Sequence, residues 1–230
     1  MEAVLLDAGG VFLLPDPAAL LPVLAEAGVR PDVGTLARAH YAGTAAMDST
    51  GGPDWKAYNA TMAATCGVPE SEVPAAADAL GRLFLSTGAS LWSRVVPGSI
   101  AALRRLAGVG VALGVVSNAD GTIAELLIAG DICQVGAGAG VPVTVVVDSH
   151  VVGLAKPDPG IFRVTLEQLG VAPDRAVHVG DTAYADVEGA LAAGVRPLHL
   201  DPYGDCPYAE GHHDHVRSLD DVVALVAGSG

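Results

Sequence analysis

The first apolar run, residues 3–6, is apolar at every position, ends at Asp7 and is followed by Gly9-Gly10. Such a run suits a parallel strand buried on both faces, with the acidic residue delivered to the carboxyl edge of its sheet. From Asp16 to about Ser93 the apolar positions recur at helical spacing. Asp16-Pro17 supplies a cap and first-turn pair, and residues 18–27, 35–47, 55–66 and 71–87 are each long enough for a helix. After Pro97 the rhythm alternates: helix over 100–107, strand over 111–117, helix over 122–129, and an apolar run at 143–147. It continues with helix 158–169, strand 176–180, helix 184–193, strand 196–200 and a last helix at 219–226.

This alternation predicts an α/β fold, a doubly wound parallel sheet with a small all-α appendage. Residues 1–15 and 94–230 form the core, and residues 16–93 form a helical cap inserted after the first strand. In open sheets of this kind ligands bind beyond the carboxyl ends of the strands. Three of the predicted strands end at, or are followed by, a polar residue there: Asp7, Ser117 and Asp181. Asp7 and Asp181 could together hold a hard divalent cation such as magnesium, with Asp186 in support. Ser117 and Asn118 precede a helix and offer a hydroxyl and backbone N–H groups to phosphate oxygens. Lys156, beside Pro157, is one of two lysines in the chain and could neutralise both a carboxylate nucleophile and the phosphoryl group it attacks.

The segments VLLDAGGVF, VVSNAD, GLAKPDPGIF and HVGDTAYADVEGA occur in this order and resemble the four motifs of the haloacid dehalogenase superfamily. The resemblance implies a Rossmann-like core with a helical cap, Asp7 as nucleophile, and Ser117 holding the transferred group. Lys156 then steadies charge, and Asp181 ligates magnesium with Asp186 assisting. It also implies that the Gly9 carbonyl is a metal ligand. The family's phosphatases carry a second Asp two residues after the nucleophile, as the acid that protonates the leaving group. Here that residue is Gly9. General acid catalysis is worth roughly 10²–10⁴-fold, so the chain is expected to favour small phosphorylated metabolites with good leaving groups. Two rivals follow from Gly9: a binding or regulatory protein that keeps the magnesium and phosphate pocket without turnover, and a phosphonate or haloacid hydrolase. Lys56 is the sole cap lysine available to the phosphonate chemistry.

Other readings compete at single positions. Ser117, Asn118 and Asp186 also suit helix caps and turns. His178 and Tyr184 could replace the missing acid, although His178 falls inside a strand. His40, Tyr41, Trp55, Lys56 and Tyr58 are candidates for substrate selection, against the plainer reading of a packed helix face. The run from Glu210 to His215, with His212 and His213, reads as a solvated loop rather than a metal site.

Composition narrows the class. The chain is 230 residues long, 51% hydrophobic and 17% charged, which fits a globular enzyme with a sizeable core. Twelve basic against 26 acidic residues give a net charge of −14, so nucleic acid is not an expected partner. No apolar stretch approaches the ~20 residues that span a bilayer, and the acidic start does not read as a secretion signal. Cys66, Cys133 and Cys206 are widely spaced, as reduced thiols in a cytoplasmic protein would be.

Overall fold

The computed structural model describes residues 1–208 and 211–228. Strand β1 (Ala3–Leu6) is wholly buried and alternates between the two faces of the sheet. Val4 and Leu6 enter one core cluster, Ala3 and Leu5 the other, and burying each leucine contributes about 2 kcal/mol.

A short β2 (Leu13–Pro15) leads into four helices: α1 (Pro17–Glu26), α2 (Val33–Asp48), α3 (Trp55–Thr65) and α4 (Val73–Thr87). Asp16, Asp32 and Asp54 start the first three, each accepting backbone N–H bonds that the opening turn cannot satisfy. The four pack on each other around Leu24, Leu36, Tyr58, Met62 and Leu80. Gly43 on α2 is required there, because a Cβ would lie 2.7 Å from the Tyr58 ring.

The chain returns through β3 (Trp92–Val95), which pairs antiparallel with β2. It then forms α5 (Ser99–Val109), β4 (Ala112–Ser117), α6 (Ile123–Ala129) and a small parallel pair, β5 (Cys133–Val135) with β6 (Val141–Val143). There follow β7 (Val145–Asp148), α7 (Ser149–Val152), α8 (Pro159–Leu169) and β8 (Ala176–Gly180). A π-helical stretch, Ala183–Glu188, runs into α9 (Gly189–Ala193), and β9 (Arg196–Leu200), β10 (Asp214–Val216) and α10 (Leu219–Ala227) complete the fold.

The main sheet is parallel throughout, in the order β10-β9-β8-β1-β4-β7, with helices on both faces. The predicted α/β class and its parallel sheet are therefore present. Because β1 lies between β4 and β8, the carboxyl ends carrying Asp7, Ser117 and Asp181 are neighbours.

Several short strands differ from the sequence expectation. Trp92–Val95 lies partly inside the stretch read as helical. It becomes a strand by pairing with Leu13–Pro15, a partner that local periodicity does not reveal. Cys133–Val135 and Val141–Val143 are three residues each, too short to signal. The stretch after Leu200, read as loop to the last helix, holds β10, whose sequence DHV buries only Val216. Among the described residues no helix is long and apolar enough to cross a membrane.

Candidate active site

Asp7 follows β1 with its N–H donated to the Val179 carbonyl at 2.8 Å, so the sheet fixes its backbone. Its Oδ1 accepts from the Ala8 N–H at 2.7 Å and lies 2.9 Å from Lys156 Nζ. The same ammonium donates to Asp186 Oδ1 at 2.6 Å. Asp186 is fully engaged: Oδ1 also meets His178 Nε2 at 2.8 Å, and Oδ2 accepts from Thr182 N at 3.1 Å and Thr182 Oγ1 at 2.5 Å. One oxygen from each of Asp7, Asp181 and Asp186 falls within 4.8 Å of the others, and all three residues are buried.

Two glycines make this density possible. Gly10 has φ +64°, and a Cβ on it would stand 2.2 Å from the Asp181 carboxylate; one on Gly180 would stand 2.1 Å from that of Asp186.

Burial pushes the Asp7 carboxyl up from its ordinary 3.8 to about 7, with Asp186 and Asp181 adding repulsion against the pull of Lys156. For Asp186 burial also opposes the charge, but Lys156 and His178 outweigh it and hold the carboxyl well below the usual range. Burial works against the Lys156 ammonium too, and Asp186 and Asp7 overcome it, so the lysine stays protonated. Three carboxyl groups thus gather within 4.8 Å of one another, two of them on one ammonium. That excess of negative charge, all on oxygen donors, fits a hard divalent cation.

Ser117, at the end of β4, and Asn118 line the same cavity. The Asn118 side chain is committed to the Lys156 backbone, accepting its N–H at 2.8 Å and donating to its carbonyl at 2.9 Å. It therefore locks the lysine's loop in place. The Gly9 carbonyl accepts from Val11 N at 2.7 Å, leaving its second lone pair. A Cβ on Gly9 would meet the Trp92 ring at 3.6 Å, an ordinary contact, so the indole stands where a longer side chain at this position would extend.

The cavity measures about 350 Å³ and reaches from Asp7 and Asp181 to Met47, Trp55 and Tyr58 of the helical block. His40 of α2 enters it, with Nε2 3.0 Å from Asp181 Oδ2 and Nδ1 2.8 Å from Tyr58 Oη. Tyr41 donates to the Gly10 carbonyl at 2.6 Å, bracing the turn behind Asp7 instead of facing the cavity. Lys56 is exposed and does not line the cavity, and neither do His178 and Tyr184. His178 is packed edge-on against Phe162 at 4.9 Å and bonded to Asp186, so burial and that bond explain it without an acid's role.

Sequence reasoning missed two contributors. Trp92, from the unpredicted β3, forms a wall over Gly9. Asp48, at the end of α2, accepts the Ala183 and Tyr184 N–H groups at 2.5 and 3.0 Å, clasping the helical block to the segment after Asp181. Burial raises its carboxyl from 3.8 to about 7 despite those donors.

A sequence model described as haloacid dehalogenase-like hydrolase matches residues 1–194. Phosphoserine phosphatase of Thermus thermophilus is 48% identical over 67 residues, 29% of this chain and 27% of that protein. Phosphoglycolate phosphatase of Rhodospirillum rubrum is 39% identical over 110 residues, 48% of this chain and 42% of that protein. The matched stretches thus cover less than half of either relative. A crystal structure of a phosphatase of this superfamily from Thermococcus onnurineus superposes with a TM-score of 0.59 at 22% identity, covering 99% of both chains.

Proposed function

The chain belongs to the haloacid dehalogenase-like hydrolase family, and from that premise we propose a cytoplasmic, magnesium-dependent phosphatase acting on small phosphate esters through an aspartyl-phosphate on Asp7. Residues 16–93 serve as the cap that closes over substrate, and residues 1–15 with 94–230 as the catalytic core. The observation that carries the reading is the junction of Asp7, Lys156 and Asp186, in which one buried ammonium touches both carboxylates.

In that arrangement Asp7 Oδ1 is held by Ala8 and Lys156, and Oδ2 is the oxygen that attacks phosphorus. The bond to the leaving oxygen breaks, and its electron pair departs with the leaving group. Ser117 and Lys156 donate to the phosphoryl oxygens as charge shifts onto them. Asp7, Asp181 and the Gly9 carbonyl would hold magnesium, which when bound neutralises the phosphoryl oxygens facing Asp7. Asp186, with both oxygens engaged, orients Lys156 and Thr182 and would support the ion indirectly. Water then attacks the phosphorus of the acyl phosphate, releasing phosphate and restoring Asp7.

With no acid at Gly9, favoured substrates have leaving groups that depart as stable anions, such as aryl or acyl phosphates. The apolar wall of Trp55, Tyr58, Trp92 and Met47 suits an aromatic one. The same features favour a second reading, carbon–halogen cleavage of a small haloacid, because a halide leaves without a proton. Assaying p-nitrophenyl phosphate and a 2-chloro acid in parallel, with and without magnesium, separates them. Magnesium-dependent phosphate release lost in Asp7→Asn is expected; chloride release with no phosphate release would overturn the phosphatase reading.

A further inference from the structure

We propose that His199, Cys206, His213 and His215 form a second metal site, for a zinc-class divalent ion, which fastens the segment after β9 to the edge of the sheet. One ligand-type atom from each of these four residues lies within 4.8 Å of the others. His199 on β9 and His215 on β10 are register partners in adjacent parallel strands, so both side chains stand on the same face. His213 lies in the bend just before β10, and its ring packs against those of both His199 and His215. The three ring centroids are 4.4 to 5.2 Å apart.

Cys206 arrives from a turn built on Asp201, whose carboxylate accepts the N–H groups of Gly204, Asp205 and Cys206 at 2.8, 3.0 and 3.2 Å. Its Sγ lies 3.6 Å from His213 Nε2, and His199 Nδ1 lies 2.9 Å from the same nitrogen. Tetrahedral zinc, with bonds of about 2.0–2.3 Å, needs ligand atoms roughly 3.3–3.7 Å apart. The Cys206–His213 separation falls within that spacing, and the His199–His213 separation is about 0.4 Å shorter, a small ring shift away from it.

The donor chemistry selects the ion. Three imidazoles and a thiol suit zinc or cobalt and reject magnesium, which takes oxygen. His199 Nε2 is 3.3 Å from the Asp181 carbonyl, which fixes the N–H on Nε2 and turns the bare Nδ1 toward the cluster. Metal-bound histidines are held in this way. All four tetrahedral positions come from the protein, so the site is closed and structural.

Its placement gives it a task. Asp205, beside Cys206, pairs with Arg38 of α2 through both guanidinium nitrogens, and Tyr203 packs against Tyr41 at 5.8 Å and under Arg38 at 4.8 Å. An ion at the cluster would tie β9, β10 and this docking turn together, one strand away from Asp181.

The test is metal analysis of the untagged full chain grown with zinc, followed by chelation and titration with cobalt(II). About one zinc per chain is expected, with the visible bands of tetrahedral cobalt and a thiolate-to-cobalt charge-transfer band in the near ultraviolet. Cys206→Ser should remove that band and weaken binding by about tenfold or more, while Asp7→Asn leaves zinc content unchanged. His215→Ala, at the exposed end of the cluster, repeats the affinity test with less risk to folding. The proposal is overturned if the native chain binds cobalt no more tightly than Cys206→Ser and His215→Ala. It is equally overturned if zinc content falls in Asp7→Asn and survives in Cys206→Ser.

Discussion

Two clusters of ligand-type side chains stand at the carboxyl edge of one sheet, on neighbouring strands, and their chemistry is opposite. At the centre, Asp7, Asp181 and Asp186 offer hard oxygens, with one buried ammonium touching Asp7 and Asp186. At the edge, His199, Cys206, His213 and His215 offer nitrogen and sulfur, grading from buried His199 to exposed His215. A bond from His199 to the Asp181 carbonyl links them. Central strand ends are rigid on both sides, so they can hold charges that repel one another in place for a reaction. The edge strand β10 has a neighbour on one side only, and a cross-link there adds the hold that a second strand would give.

The largest expected effect comes from breaking the central cluster alone. Lys156→Ala leaves Asp7 and Asp186 buried without their cation, which should lower stability by about 3–5 kcal/mol and turnover by about 10²–10³-fold. Denaturant midpoints and steady-state rates check this, and zinc content should not change.

Gly9→Asp combined with Trp92→Ala would sharpen the contrast from the other side, by supplying the missing acid and the room for it. Turnover of alkyl phosphates should rise by up to about 10²-fold over the Trp92→Ala background. Gly9→Asp alone should gain less, since the indole stands 3.6 Å from where the new Cβ begins.

A smaller effect follows pH. Asp48 has its carboxyl raised from 3.8 to about 7, so between those values the folded chain binds more protons there than the unfolded chain. Rising pH therefore removes stability across that window, at most about 1.4 kcal/mol per unit. Unfolding measured against pH should show the native chain losing ground to Asp48→Asn from about pH 4 to 7.

The smallest effect is expected from Cys206→Ser on phosphate ester hydrolysis under saturating magnesium, a change below about twofold, because the two clusters share no side-chain ligand. A larger loss of kcat would mean that the edge cluster acts on the reaction through Asp181.

The central cluster was legible in the sequence because each member closes a strand or opens a helix, and four short motifs in order fix their places. Lys156 beside the nucleophile could be expected from type and order, although its link to Asp186 and the clamp by Asn118 could not. The edge cluster was read as loop. Its ligands are spaced irregularly, His199 sits inside an apolar strand, and β10 exists only through its pairing with β9; Glu210 lies outside the described residues. Trp92 was hidden for the same reason, since a four-residue strand paired across almost 80 positions carries no local period. Asp48 looked like one more polar residue at a helix end until the fold brought Ala183 and Tyr184 to it.

The proposed mechanism requires an oxygen of Asp7 to receive the phosphoryl group. Mixing the protein with an aryl phosphate and magnesium, quenching with borohydride and mapping peptides by mass measures this directly, because an acyl phosphate is reduced to the alcohol. Conversion of Asp7 to homoserine, only when substrate is present, is the predicted result. Turnover with residue 7 unmodified, or with the reduced residue elsewhere in the chain, would contradict it.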